Sequence, residues 1–172
     1  MDDLTRHQLS AIADLLAIAE ELRARVWLRG GWAMDFFLGS VTRTHVDIDW
    51  FALADDGQRL RDSLIDQGFQ DVTTTEPGQQ IDLARNGVEH GIALLRINDR
   101  GQPVVAGGPW AGEPWPVGTL DGTHGRIGDL TAPVIAPAAQ IEIKQMMPIW
   151  NPRLSRRQKD IDDIAAIRAA LS

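Results

Sequence analysis

Cysteine is absent from the 172-residue chain, so disulfides and thiolate zinc sites are excluded, and a reducing compartment fits. No apolar run approaches the roughly 20 residues needed to cross a bilayer. The opening MDDLTRHQ is polar and acidic and does not read as a signal peptide, so a cytoplasmic location without membrane contact is expected. Internal repeats and low-complexity tracts are lacking. The motif G-x-x-x-x-G-K-[ST] does not occur, which rules out a P-loop. The 4 histidines are scattered and make no metal-ligand spacing. Positive charge is scarce: 17 Lys and Arg face 24 Asp and Glu, for a net charge of −7. That balance argues against nonspecific nucleic-acid binding and for a cationic partner. A chain this long buries roughly 68–70% of its unfolded surface, so a core can hold it without staples.

What is present reads as one α/β domain over residues 1–172, with a sheet core to about 135 and C-terminal helices over about 136–172. Ile12, Leu15, Leu16, Ala19 and Leu22 recur at helical spacing, predicting an amphipathic helix over 4–24. Val26–Leu28 is a short buried strand stopping at a Gly30–Gly31 turn, followed by a helix over 32–38 ended by Gly39. Residues 46–53, VDIDWFAL, alternate and then turn apolar, as a strand entering the core does. Asp55 is placed to cap a helix over about 57–67. Residues 69–75 and 79–84 are strand candidates, and Asn86–Gly87 is a hairpin turn leading into a strand over 88–97. Residues 106–125 form a long loop and 125–136 a short hairpin. Pro137 starts a helix, and a Ser155/Gln158 capping box starts the last one, striped by Ile161, Ile164, Ile167 and Leu171.

In a strand over 46–53, Asp47 and Asp49 share one face while Val46, Ile48 and Trp50 take the other. Two adjacent carboxylates repel and shift one another unless a cation lies between them. Hard divalent ions such as Mg²⁺ take oxygen ligands of this kind. A lone D-x-D also suits a merely acidic strand face. The Gly30–Gly31 corner adds a second feature, because backbone N–H groups and a helix N-terminus form an anion site. Together the two suggest a nucleoside triphosphate carried by Mg²⁺.

The stretch Gly30-Gly31-Trp32-Ala33-Met34-Asp35, Leu38-Gly39, then Thr42-Arg43-Thr44-His45-Val46-Asp47-Ile48-Asp49, resembles the nucleotidyltransferase superfamily of DNA polymerase β type. The closer resemblance is to aminoglycoside 2″-adenylyltransferases and lincosamide nucleotidyltransferases. It is dense over about 20 residues, and Lys159-Asp160 with Asp163 echoes a K-D-x-x-D of the same families. The resemblance implies a mixed sheet flanked by helices, and ATP with Mg²⁺ as co-substrate. It also implies transfer of AMP to a hydroxyl of a small molecule, with an aminoglycoside or lincosamide antibiotic as acceptor and antibiotic resistance as outcome. Asp47 and Asp49 would hold the metal, and Gly30, Gly31 and Arg43 the phosphates. The superfamily's third carboxylate falls to Glu89 as metal ligand and base, with Asp82 on the preceding strand as runner-up. Two alternatives stand beside this: a toxin-like enzyme modifying protein or tRNA, and a noncatalytic nucleotide-binding relative.

The remaining polar residues carry two readings each. Arg43 can clamp triphosphate or bridge to Asp35 or Asp47. His45 reads as structural, orienting the turn into the strand. Lys144 and Lys159 read as solvated helix lysines rather than phosphate ligands, and Asp160 and Asp163 as holding the last helix. Trp110, Glu113 and Trp115 read as loop anchors, with stacking on a base or sugar the alternative.

Overall fold

The computed structural model describes residues 1–172. In chain order the elements are α1 (Asp3–Leu22), β1 (Val26–Arg29), α2 (Gly30–Leu38), β2 (Ile48–Leu53), α3 (Ala54–Asp66) and β3 (Gln70–Asp71). They continue with β4 (Gln80–Arg85), β5 (Val88–Ile97), β6 (Pro103–Val105), β7 (His124–Ile127), β8 (Leu130–Pro133), α4 (Pro137–Trp150) and α5 (Gln158–Leu171). The main sheet runs β1-β2-β5-β4-β3, with β6 beside the far end of β5; β7 and β8 form a separate hairpin. Only β2 and β5 are parallel. No helix is long and apolar enough to cross a membrane.

Local chemistry explains these elements. Asp2 caps α1 by accepting from the Thr5 N–H at 2.7 Å, and Ile12, Leu15 and Ile18 turn its apolar stripe inward. The Asn86–Gly87 turn puts both residues at positive φ, 50° and 77°, as the hairpin between β4 and β5 requires. One sheet face carries Trp50, Ile81, Leu83, His90 and Ile92, all buried in the core. Each such large apolar side chain contributes about 1.5–3 kcal/mol of burial. His90 sits there without exposure, accepting from the Trp50 indole at 3.0 Å. Burial, helped by the Arg85 charge, pushes it down to about 4. The opposite face of the same strands carries the carboxylates.

Several expectations are corrected. Gly30 and Gly31 are not a turn before α2 but its first residues. Strand β2 starts at Ile48, so Val46 lies ahead of the pairing and is 81% exposed instead of entering the core. Asp55 lies inside the first turn of α3, whose cap position is Leu53, so it caps nothing. Pairing with β4 covers only Gln70 and Asp71 of the proposed 69–75 strand. The Ser155 capping box does not form; Arg157 holds the cap position of α5 and ties its side chain to Asp160 in the first turn. The buried stripe of α5 is Asp160, Asp163, Ile164 and Ile167, while Ile161 and Leu171 are exposed. Ion pairs to the aspartates take the place of apolar contacts on that face.

Candidate active site

Strand pairing assembles a band of carboxylates. Arg29 on β1 pairs with Asp49 on β2, Asp49 with Gly91 on β5, and Gly91 with Asp82 on β4. A Cβ at position 91 would lie 3.2 Å from an oxygen of Asp49 and 3.2 Å from one of Asp82. The missing side chain of Gly91 is therefore the space into which both carboxylates face. Asp47 precedes β2 and takes no part in its pairing. Of the two sequence candidates for the third carboxylate, Asp82 lies across Gly91 from Asp49, and Glu89 lies two residues before Gly91 on β5.

The electrostatics match. Burial pushes the Asp49 carboxyl up to about 6; Arg29 opposes the rise, Asp47 and Asp82 add to it, and Lys144 opposes again. Glu89 is raised by burial and then by the Asp82 and Asp47 charges. Arg29 is lowered by burial, against the pull of Asp49 and Asp47. Its guanidinium stacks over Phe51 at 4.5 Å and Trp115 at 5.0 Å. Gly30 is forced on two counts: its φ is +65°, and a Cβ would come within 2.8 Å of an Asp49 oxygen. The Asp49 carboxylate therefore rests against the N-terminus of α2.

Beside Asp49 opens a cavity of about 420 Å³ lined by Gly30 and four cationic residues, Arg29, Lys144, Arg153 and Arg157. Lys144 is not the solvated lysine its sequence context suggests: it is 11% exposed, donates to Asp163 at 2.9 Å and reaches the cavity wall. Arg29, Arg153 and Arg157 escaped the sequence reading. The basic run Arg153-Leu154-Ser155-Arg156-Arg157 in an acidic chain was the available signal. Lys159 is exposed, as expected.

Two phosphate candidates sit elsewhere. Arg43 neither lines the cavity nor bridges to Asp35 or Asp47; it donates to Asp163 at 2.9 Å and to His45 Nδ1 at 2.9 Å. Because an arginine only donates, His45 Nδ1 accepts and its Nε2–H donates to buried Asp35 at 2.6 Å. Asp35 also accepts from the Thr42 hydroxyl at 2.5 Å. Gly31 faces this network, where a Cβ would overlap the His45 ring. Asp163 joins Arg43 to Lys144. Burial alone would raise it, but hydrogen bonds from both cations outweigh burial and hold its carboxyl below the ordinary range. The G-G-W-x-x-D and T-R-x-H residues thus brace the strand that carries the acidic pair, and Asp163 ties that brace to the lysine.

A second cavity of about 440 Å³ shares Arg29 and Met147 with the first. Trp110, Glu113 and Trp115, read from sequence as loop anchors, all line it, together with Gln80 and Trp150. Trp115 also packs edge-on against Phe51 at 4.9 Å.

This mixed sheet, with acidic strand pair, glycine corner and basic cavity, has the nucleotidyltransferase fold. The family model of aminoglycoside-2''-adenylyltransferases matches residues 11–167, and the chain belongs to that family. A 2''-aminoglycoside nucleotidyltransferase of Klebsiella pneumoniae is 50% identical over 42 residues. That match covers 24% of this chain and 24% of the relative, so the chain aligns with about a quarter of that protein's length. Among solved structures, ANT(2'')-Ia in complex with adenylyl-2''-tobramycin superposes with a TM-score of 0.77 at 21% identity. It covers 96% of this chain and 90% of that one. The lincosamide adenylyltransferase LnuA, lincomycin-bound, gives 0.73 at 23% identity, covering 97% and 98%. At such identities these likenesses speak for the fold.

Family membership implies a nucleoside triphosphate co-substrate and a divalent cation. No three His, Asp or Glu side chains come together to hold a metal ion. Magnesium does not require three: it commonly binds through one or two carboxylates, substrate phosphates and waters. An open gap between two carboxylates, beside a basic cavity, fits that mode.

Proposed function

We propose that this protein is an adenylyltransferase moving AMP from ATP to a hydroxyl of a small-molecule acceptor. The observation that carries it is that Asp49, which faces Asp82 across Gly91, also lines the cavity formed by Gly30, Lys144, Arg153 and Arg157. In this reading the basic cavity receives the β- and γ-phosphates, with Lys144 held toward it by Asp163. Asp47 and Asp49 would hold Mg²⁺, and Asp82 would lie free of it across Gly91. Bound there, the ion would neutralise triphosphate charge and lower the barrier at the α-phosphorus.

Asp82 is the better base of the two candidates. The second cavity begins at Gln80, whose amide donates to Asp82 at 2.7 Å. Glu89 lines neither cavity, and of the two charges that raise its carboxyl that of Asp82 is the larger. An acceptor hydroxyl entering from the second cavity would give its proton to Asp82. Its oxygen bonds the α-phosphorus as the bond to pyrophosphate breaks. Arg29, common to both cavities, would face the charge developing between them.

The test is pyrophosphate release with ATP, Mg²⁺ and a panel of aminoglycosides and lincosamides. Asp47→Asn should abolish it. Asp82→Asn should lower kcat by about 10²–10⁴, the usual worth of a general base, with the KM for ATP little changed. Glu89→Gln should cost far less; the reverse ranking would return the base role to Glu89.

A further inference from the structure

We propose that a water molecule resting on the Gly91 backbone, between Asp49 and Asp82, carries the acceptor's proton to Asp82. The inference rests on the transferase reading and deepens it, because it says how the base is reached.

The spacing of the sheet calls for an intermediary. Asp49 and Asp82 lie on β2 and β4 with β5 between them, so about 4.8 Å of strand spacing separates the backbone of each from that of Gly91. A base acts within about 2.6–3.2 Å of the proton's oxygen, or through one water. A hydroxyl attacking phosphorus beside a metal on Asp47 and Asp49 stands at the β2 side of this span, short of Asp82. Asp49 divides its two oxygens accordingly. Oδ2 faces Gly30 and the basic cavity, where the metal and the triphosphate belong, and Oδ1 faces Gly91.

The place over Gly91 has the chemistry of a water site. A Cβ there would lie 3.2 Å from Asp49 Oδ1, 3.2 Å from Asp82 Oδ1 and 3.3 Å from Gln80 Nε2. A water has no bond to the backbone, so it settles further out, where all three are within hydrogen-bond reach. Buried waters typically make about three hydrogen bonds, and these partners are of the right kinds. The water would donate one proton to each carboxylate and accept from Gln80, whose amide nitrogen gives its other N–H to Asp82 at 2.7 Å. A cation would meet that N–H head-on. The water's remaining lone pair stays open for the acceptor hydroxyl. Gly91 is buried while Asp49, Gln80 and Asp82 are half-buried, which leaves the place a way in from solvent.

The step balances. As the hydroxyl oxygen bonds the α-phosphorus and the bond to pyrophosphate breaks, the hydroxyl proton passes to the water and one proton of the water passes to Asp82. The water is restored, and Asp82 leaves the step neutral.

Single-turnover pyrophosphate release in mixtures of H₂O and D₂O tests the relay in wild type. Two protons in flight make the rate fall along a curve with deuterium content; one proton gives a straight line. Gly91 has ordinary strand geometry, so alanine keeps the fold there and puts a methyl in the water's place, the carboxylates giving way by a few tenths of an ångström. Gly91→Ala should lower kcat at least about 100-fold, with the KM for ATP little changed. Gly91→Ser is bulkier, yet its hydroxyl can take over the water's partners, and it should recover at least about tenfold of that loss. In a crystal structure of the wild type, an ordered water should lie within about 3.2 Å of Asp49, Asp82 and Gln80, and Gly91→Ala should lack it. A linear deuterium dependence, an alanine variant as fast as wild type, a serine variant no better than alanine, or no such water overturns the proposal. Wild type silent with every acceptor sinks the transferase reading and the relay with it, and the crystal structure then judges the water site alone.

Discussion

Replacing Asp49 by asparagine should stabilise the metal-free protein at neutral pH. The Asp49 carboxyl is pushed up to about 6 from an ordinary 3.8, chiefly by burial, with Asp47 and Asp82 adding to the rise and Arg29 and Lys144 opposing. A carboxyl raised on folding contributes its full stability below the unfolded value. That contribution is lost as pH rises through the folded one. The window therefore runs from about pH 4 to pH 7. A displacement from 3.8 to about 6 corresponds to about 3 kcal/mol of folding free energy lost at pH 8. The asparagine side chain would keep the shape and carry no charge. Urea unfolding in EDTA, from pH 3.5 to 8, of wild type and Asp49→Asn is the assay. The gap between them should open in favour of the variant above pH 4 and level off near pH 7, reaching about 1–3 kcal/mol. Titrating groups away from Asp49 are common to both proteins and cancel in the difference, whereas its charge partners Asp47, Asp82, Arg29 and Lys144 add to the measured gap. Adding Mg²⁺ should close part of the gap by stabilising wild type alone. A variant equal to or weaker than wild type at pH 8, or a gap that ignores pH, would refute the reasoning.

The brace behind the site makes further predictions. Gly31→Ala puts a methyl into the His45 ring and should lower stability by about 1–3 kcal/mol in thermal melts, with the Asp35–His45 bond broken. Asp163→Ala leaves Arg43 and Lys144 without their shared partner, which should cost about 3–5 kcal/mol in urea unfolding. Asp163→Asn keeps one acceptor and should cost less, but should raise the KM for ATP because Lys144 is no longer held.

The site's nearest-neighbour features were legible in the sequence, and its long-range ones were not. The two-residue period put Ile48 and Trp50 on the buried face and Asp49 on the other, because a strand's alternation is fixed by its own backbone, while Asp47 lies ahead of the strand. Asn86–Gly87 announced its hairpin for the same local reason. The glycine pair was visible, but its two members have separate reasons: Gly30 clears Asp49, and Gly31 clears His45. No local rule shows that. Which of Asp82 and Glu89 meets Asp49 depends on register between β2 and β5, some 40 residues apart, and between β5 and β4. A shift of one residue would have hidden Asp82 on the other face. Lys144 looked like a solvated helix lysine because its partner Asp163 lies on another helix. Arg29 looked like the end of an apolar strand, since its role comes from Phe51 and Trp115 stacking beneath it.

Arg29 also joins the two cavities of this acidic chain, one basic and one aromatic. A phosphoryl displacement in line needs the entering and leaving oxygens on opposite sides of phosphorus. The leaving pyrophosphate would be anionic, and the wall beside Asp49 holds Lys144, Arg153 and Arg157. The entering hydroxyl is uncharged, and the wall beyond Gln80 holds indoles and amides. Arg29 is the one cationic residue shared by both cavities, and its stacked guanidinium is fixed before any substrate arrives. A lysine there could not stack in the same way and would lose that fixed orientation. The division of charge thus follows the course of the proposed reaction. The net charge of −7 says little about the acceptor, because the carboxylates nearest the chemistry would be committed to the metal.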